Sequence, residues 1–104
     1  MIYLGSDHRG FALKEKIKSW LTEWGYDYED RGAFEYDKDD DYPDFAKAVG
    51  EHMRDDSDSR GILICGSGIG IAIAANKIRG IRAGTAASPQ QVSASVHDED
   101  LNVL

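Results

Sequence analysis

The chain opens on a short apolar run, Ile2-Tyr-Leu-Gly5, which reads as a strand beginning almost at the first residue. A polar loop, Ser6-Asp-His-Arg-Gly10, follows. From Phe11 to Trp24 the rhythm becomes helical: Leu13, Ile17, Trp20, Leu21 and Trp24 recur at helical spacing, and Lys14, Glu15, Lys16, Lys18 and Glu23 are expected on the other side. Gly25 is a natural C-terminal stop. Tyr26 to Asp30 reads as a second strand near a sheet edge, and Arg31 to Asp41 as a loop ending in an acidic run, Asp37-Lys-Asp-Asp-Asp41. Tyr42-Pro43 marks a boundary and Asp44 is the expected cap of a helix carrying Phe45, Ala46, Val49 and Met53 on one face.

A third strand is expected at Gly61–Ile64, then a loop over Cys65–Gly70 and a helix to about Ile78. Ile81–Gly84 reads as a fourth strand, Ser88-Pro89 as a cap and first position of a helix to about His97, and Asn102–Leu104 as the start of a fifth strand. Strands alternating with helices predict an α/β fold. Its mostly parallel sheet of about five strands has helices on both faces, built from right-handed β-α-β units. At 104 residues the chain is expected to form one domain.

Charge and composition narrow the function classes. A net charge of −7 argues against nucleic acid as the main partner, because phosphate contacts need a basic face. No run approaches the ~20 apolar residues of a membrane span, and no signal peptide is visible, so the expected location is cytoplasmic. A single cysteine cannot form an internal disulfide, in keeping with that compartment. The acidic run reads as a solvated loop rather than a metal site, since no cluster of His or Cys accompanies it.

Candidate chemistry gathers at two loops. In a parallel sheet, ligands bind beyond the carboxyl ends of the strands. Gly66, Gly68 and Gly70, at alternate positions ahead of a helix, form a cradle of N–H groups for an anion. The dinucleotide fingerprint is not met: Ile71 stands where its third glycine belongs, and no acidic residue follows at the right distance. A P-loop is excluded because no Gly-Lys-Ser/Thr follows, so a smaller anion fits better. Cys65 heads the loop. A lone cysteine is usually a small buried hydrophobe, but beside a glycine nest and a helix N-terminus the thiolate is favoured and is a competent base or nucleophile. Asp7 and His8 lie on the facing loop, as an orienting carboxylate and a hydroxyl- or phosphate-binding imidazole, or as a cap and a surface histidine. His52 and His97 read as structural, with His52 on the solvent face of its helix, and Trp20 and Trp24 as core or subunit-interface residues.

Gly5–Gly10, Asp41-Tyr-Pro-Asp-Phe45, Gly61–Gly70, Ala74-Ala-Asn-Lys77, Gly80-Ile-Arg-Ala83 and Asn102-Val-Leu104 together resemble the ribose-5-phosphate isomerase B family, which includes the two-subunit galactose-6-phosphate isomerases. The resemblance covers the whole chain. It implies a flavodoxin-like (broadly Rossmann-like) sheet and a homodimer or dimer of dimers. It also implies cofactor- and metal-free aldose–ketose isomerisation of a phosphorylated sugar such as ribose 5-phosphate. By position, Cys65 would be the base that moves a proton between C1 and C2, with N–H groups of Gly66, Ser67, Gly68, Ile69 and Gly70 stabilising the ene-diolate. Ser67 would shuttle a proton between the two oxygens, Asp7 and His8 would hold the sugar, and Tyr42 would wall the pocket. A family branch uses a glutamate just after the glycine loop, where this chain has Ile71.

Two departures stand out. The positions of the family's ring-opening His and its neighbouring Asn hold Asp98 and Glu99, and His97 is one residue early. The family's C-terminal helices and their phosphate-binding arginines have no counterpart in these 104 residues, which predicts a bare apolar face. Arg9, where the family commonly has a small residue, offers local positive charge in their stead. The alternative reading is therefore a non-catalytic or heteromeric sugar-phosphate-binding subunit.

Overall fold

A computed structural model describes residues 1–104. The strands are β1 (Ile2–Ser6), β2 (Tyr28–Asp30) and β3 (Arg60–Ile64), all parallel, in the spatial order β2-β1-β3. The helices are α1 (Phe11–Glu23), α2 (Tyr42–Met53), α3 (Ile69–Asn76) and α4 (Pro89–Glu99). The α/β class is as the alternation predicts. The strand number is not: the sheet has three strands rather than five.

Residues 82–84 and 102–104 reach the sheet only through isolated bridges, Gly61 with Val103 and Val103 with Ala83. Val103 therefore lies between β3 and Ala83, and the two terminal segments do not follow chain order. The segment through Ala83 leaves the sheet at once, because the Thr85 hydroxyl donates to the Gly68 carbonyl at 2.7 Å and draws the backbone toward the glycine loop. Asn76 and Asn102 do the work a longer ladder would do. Asn76 brackets Ala83 with bonds of 2.9 and 2.7 Å, and Asn102 accepts from the Arg82 N–H at 2.8 Å.

The main core lies on one face of the sheet, where α2 and α3 pack. Ala46, Val49 and Met53 of α2 recur at helical spacing and meet Leu63, Ile71 and Ala75. Burying side chains of this size contributes about 1.5–3 kcal/mol for each Val, Leu, Ile or Met. The helix begins earlier than expected. Asp41 occupies the cap position and Pro43 sits in the first turn, where a missing N–H costs nothing, so Asp44 is a first-turn residue rather than the cap. α4 starts where Ser88-Pro89 predicts, with the Ser88 hydroxyl accepting from the Gln91 N–H at 3.1 Å.

The other face is covered by α1, and here the polar stripe needs correction. Lys14 is fully buried rather than on the outer side, whereas Leu13 is nearly half exposed. Leu13 and Ile17 line an open apolar groove of about 230 Å³ with Ile62, Ile64, Ala72 and Leu104. Trp20 and Trp24 stack on each other at the exposed end of α1 and are not core residues. His52 is half buried rather than on the solvent face, donating from Nδ1 to the Ala48 carbonyl at 2.9 Å. No helix is long and apolar enough to cross a membrane.

Candidate active site

β1 and β3 are neighbours in register, with Ser6 opposite Ile64, so the loops that follow them leave the sheet side by side. Gly10 seals the junction. A Cβ there would fall within 2.7 Å of the Ile64 carbonyl and side chain, so only glycine lets the turn into α1 sit this close to the end of β3.

The Cys65 loop is a tight turn into α3. Gly68 adopts φ 78°, a left-handed conformation suited to glycine, and this turns its N–H onto Cys65 Sγ at 3.2 Å. Ser67 Oγ accepts from the Ile69 N–H at 3.2 Å, which leaves the hydroxyl proton free to donate. The N–H groups of Gly66 and Ser67 have no partner in the chain. The loop thus offers a half-buried thiol with one N–H donor already on its sulfur and two uncommitted donors beside it.

Arg9 and Tyr42 close the loop from two sides. The Arg9 guanidinium lies directly on Gly66, in space a Cβ would occupy, and makes no ion pair within the chain. Tyr42 lies on Gly70, where a Cβ would be 2.8 Å from its ring and 2.9 Å from its hydroxyl. The sequence flags Arg9 only as spare positive charge; its seat on the thiol loop is a structural result.

Asp7 and His8 sit on the facing loop as expected, with more defined tasks. Asp7 is 4 % exposed, and its Oδ1 accepts from the Arg9 and Gly10 N–H groups at 2.9 and 3.2 Å, capping the short 3-10 turn over His8–Gly10. Both bonds use Oδ1, leaving Oδ2 for a ligand. Asp40 Oδ1 accepts from the His8 backbone N–H and contacts its Nδ1, both at 2.8 Å. Asp40 is the residue of this loop pair that sequence reasoning missed. It belongs to the acidic run read as solvated, yet its side chain is only 11 % exposed. No signal in the run separates Asp40 from its exposed neighbour Asp39.

A buried ionic cluster underlies this loop. Lys14 Nζ donates to both Asp30 oxygens at 2.7 Å and to the Ala33 carbonyl, while Lys18 Nζ reaches Asp30 Oδ2 at 2.8 Å. Burial pushes the Asp30 carboxyl up, but the hydrogen bonds from Lys14, Lys18 and the Gly32 N–H outweigh it and hold the group below its ordinary value. The bond to Asp30, working against burial, holds Lys18 above its ordinary value. The structure does not bring His97 or Asp98 into the two loops. They pair with each other at 2.8 Å on α4, a helix with no buried residue.

Fold and site together define the class, an α/β protein with a parallel sheet whose thiol-headed glycine loop lies beside an Asp-His loop. Comparison with known proteins makes the assignment specific. The family model described as Ribose/Galactose Isomerase matches residues 2–104, and the chain belongs to that family. Ribose-5-phosphate isomerase B of Escherichia coli is 42 % identical over 103 residues, covering 99 % of this chain and 68 % of the relative. The Mycolicibacterium paratuberculosis enzyme of the same name is 52 % identical over 81 residues, covering 78 % of this chain and 51 % of the relative. A crystal structure of Mycoplasma genitalium ribose-5-phosphate isomerase B with bound ribulose 5-phosphate superposes with a TM-score of 0.94. It is 38 % identical, with 99 % of this chain and 68 % of that chain covered. The chain thus spans about half to two thirds of the length of these relatives.

Proposed function

We propose that residues 1–104 act as one sugar-phosphate isomerase-like domain that interconverts an aldose and a ketose phosphate of the ribose 5-phosphate/ribulose 5-phosphate type through an ene-diolate. The observation that carries this reading is the half-buried Cys65 thiol, with the Gly68 N–H on its sulfur and free Gly66 and Ser67 N–H groups beside it, facing Asp7 and His8. Cys65, as thiolate, takes the C2 proton of the open-chain aldose. The C2–H electron pair becomes the C1–C2 double bond, and the carbonyl pair moves to O1. Ser67 passes the O2 proton to O1, and Cys65 returns its proton to C1, giving the ketose with atoms and charge balanced.

The uncommitted N–H groups stabilise the negative oxygen, an effect worth about 3–4 kcal/mol per donor in acyl-transfer enzymes. Asp7 Oδ2 and His8 hold sugar hydroxyls, Tyr42 walls the pocket, and Arg9 is well placed for the phosphate. The reaction needs neither metal nor cofactor. The remaining parts of the reading are a cytoplasmic location, a flavodoxin-like assembly, and a homodimer or dimer of dimers in which α4 is covered.

In D2O with ribose 5-phosphate, the chain is expected to exchange the C2 proton and Cys65→Ala is not. Exchange no faster than in that variant refutes the reading for this substrate. A second reading, a non-catalytic or heteromeric sugar-phosphate-binding subunit, is favoured by one observation: Asp98, at the ring-opening position, is engaged with His97 on exposed α4. Calorimetric binding of a phosphorylated sugar acid without C2 exchange selects it.

A further inference from the structure

We infer that Asp40 is a positioning residue that holds His8 as its Nδ1–H tautomer, leaving Nε2 as the nitrogen available to substrate. The inference deepens the isomerase reading and rests on it for the identity of the ligand. The first observation is the double contact: one oxygen, Asp40 Oδ1, takes both the His8 backbone N–H and Nδ1 at 2.8 Å. A carboxylate offers no proton, so this contact requires the hydrogen on Nδ1, and the ring is fixed in orientation as well as in tautomer. The Tyr36 ring meets the imidazole edge-on, with centroids 6.1 Å apart, and braces it from the same loop.

The second observation is how the carboxylate gets there. The connection from β2 to α2 is a strap laid over the Asp7–Gly10 turn and pinned at both ends. At its start, the Gly32 carbonyl accepts from the Ser6 N–H at 2.8 Å and the Ala33 N–H donates to the Ser6 carbonyl at 2.9 Å. Those two residues are themselves held from beneath, since Asp30 Oδ1 accepts from the Gly32 N–H at 2.9 Å and Lys14 donates to the Ala33 carbonyl. At its end, Asp40 grips His8. The strap therefore clasps the chain on both sides of Asp7.

The third observation concerns cost. Asp40 Oδ2 is buried with no hydrogen-bond partner. A carboxylate with one desolvated, unpaired oxygen weakens a fold, and such local losses concentrate where a site needs a group held in place. A neighbour such as Asp39, left in water, would have avoided it.

The test reads the ring directly. Long-range 1H–15N correlation of 15N-histidine-labelled protein at neutral pH, with the signal assigned by its loss in His8→Gln, is expected to show a protonated Nδ1 and a bare Nε2 in neutral His8. Asp40→Ala removes the acceptor from both the His8 backbone N–H and Nδ1 and is expected to shift neutral His8 toward the Nε2–H tautomer that a free imidazole side chain prefers in water, with unchanged circular dichroism. Affinity for a phosphorylated aldonic acid is expected to fall at least tenfold. Asp40→Asn keeps a carbonyl oxygen at the Oδ1 position and is expected to retain the Nδ1–H signature, and the wild-type spectrum decides even where neither variant folds. His8 with its proton on Nε2 in the wild type, or the same spectrum in wild type and Asp40→Ala, overturns the inference. Nδ1-protonated His8 in a chain that binds no phosphorylated sugar acid refutes the isomerase reading instead, and leaves the Asp40–His8 geometry standing.

Discussion

Replacing Asp30 with asparagine leaves the Lys14 ammonium, at a position closed to water, with only the half-exposed Glu15 carboxylate at 3.8 Å as a countercharge. Lys14 has three N–H donors and three acceptors: the two Asp30 oxygens, each at 2.7 Å, and the Ala33 carbonyl. Asparagine returns one acceptor and turns an NH2 donor toward two ammonium groups. Breaking a buried pair by removing one partner costs about 3–5 kcal/mol. Lys18 is partly exposed and can swing into solvent, so the lower end applies, and Asp30→Asn is expected to destabilise the chain by about 3 kcal/mol. With an m-value of about 1 kcal/mol/M for a small domain, the urea midpoint falls by about 3 M. Lys14→Met is expected to cost less, because Asp30 keeps Lys18 and the Gly32 N–H while an apolar chain of similar length fills the space.

The pH dependence carries its own sign. Asp30 is held below its ordinary value, so the unfolded carboxyl, titrating near about 3.9, takes up its proton first as pH falls. Its contribution is present above that pH and lost as pH falls through the folded value. Lys18 is held above its ordinary value, so its share is complete below about 10.4 and lost as pH rises through the folded value. Asp30→Asn therefore flattens the stability profile at both extremes. A loss below about 1 kcal/mol, the worth of an exposed pair, with an unchanged acid limb refutes the reasoning and means that Lys14 reaches water.

Three other outcomes are expected. Gly10→Ala drives a Cβ to within 2.7 Å of the Ile64 carbonyl, which cannot yield, and is expected to cost about 1–3 kcal/mol by urea unfolding and to weaken ligand binding by parting the two loops. Gly66→Ala displaces only the Arg9 guanidinium, the far end of a flexible side chain, so stability should change by less than about 0.5 kcal/mol while affinity for a phosphorylated sugar acid falls. Equal affinity for Gly66→Ala and wild type would remove Arg9 from the site. Cys65→Ala is expected to abolish C2 proton exchange while keeping the urea midpoint within about 1 M, since the half-buried thiol makes one weak hydrogen bond.

What the sequence conveys and what it conceals follow from how local each signal is. The strand–loop–helix of 60–76 is legible because the apolar run, the three glycines and the alanine-rich segment are contiguous, and the loop chemistry comes with them. α4 is legible because Ser88 and Pro89 carry its start by themselves. The terminal segments through Ala83 and Val103 look like strands by composition, but their pairing depends on Thr85, Asn76 and Asn102 reaching back across the chain, which no local pattern encodes. Lys14 shares the spacing of Leu21 and could be counted with the buried face, but its charge argues for the outer one. The choice is made by Asp30, sixteen residues later and on another element.

The same non-local logic hides the carboxylate that holds His8. Within Asp37-Lys-Asp-Asp-Asp41 every carboxylate looks alike, and it is the path of the strap, pinned at Ser6 by Gly32 and Ala33, that selects Asp40 for His8. A strap whose far end rests on a buried ion pair also couples fold stability to site geometry. Loss of the Lys14–Asp30 pair is therefore expected to loosen the His8 ring as well as the fold, at urea concentrations well below the global midpoint. Hydrogen exchange at the Ser6 and Ala33 N–H groups, which are bonded across the clasp, reads that loosening directly. Protection at these two amides that survives Asp30→Asn unchanged would show that the backbone bonds at Ser6 hold the strap without the Lys14–Asp30 pair.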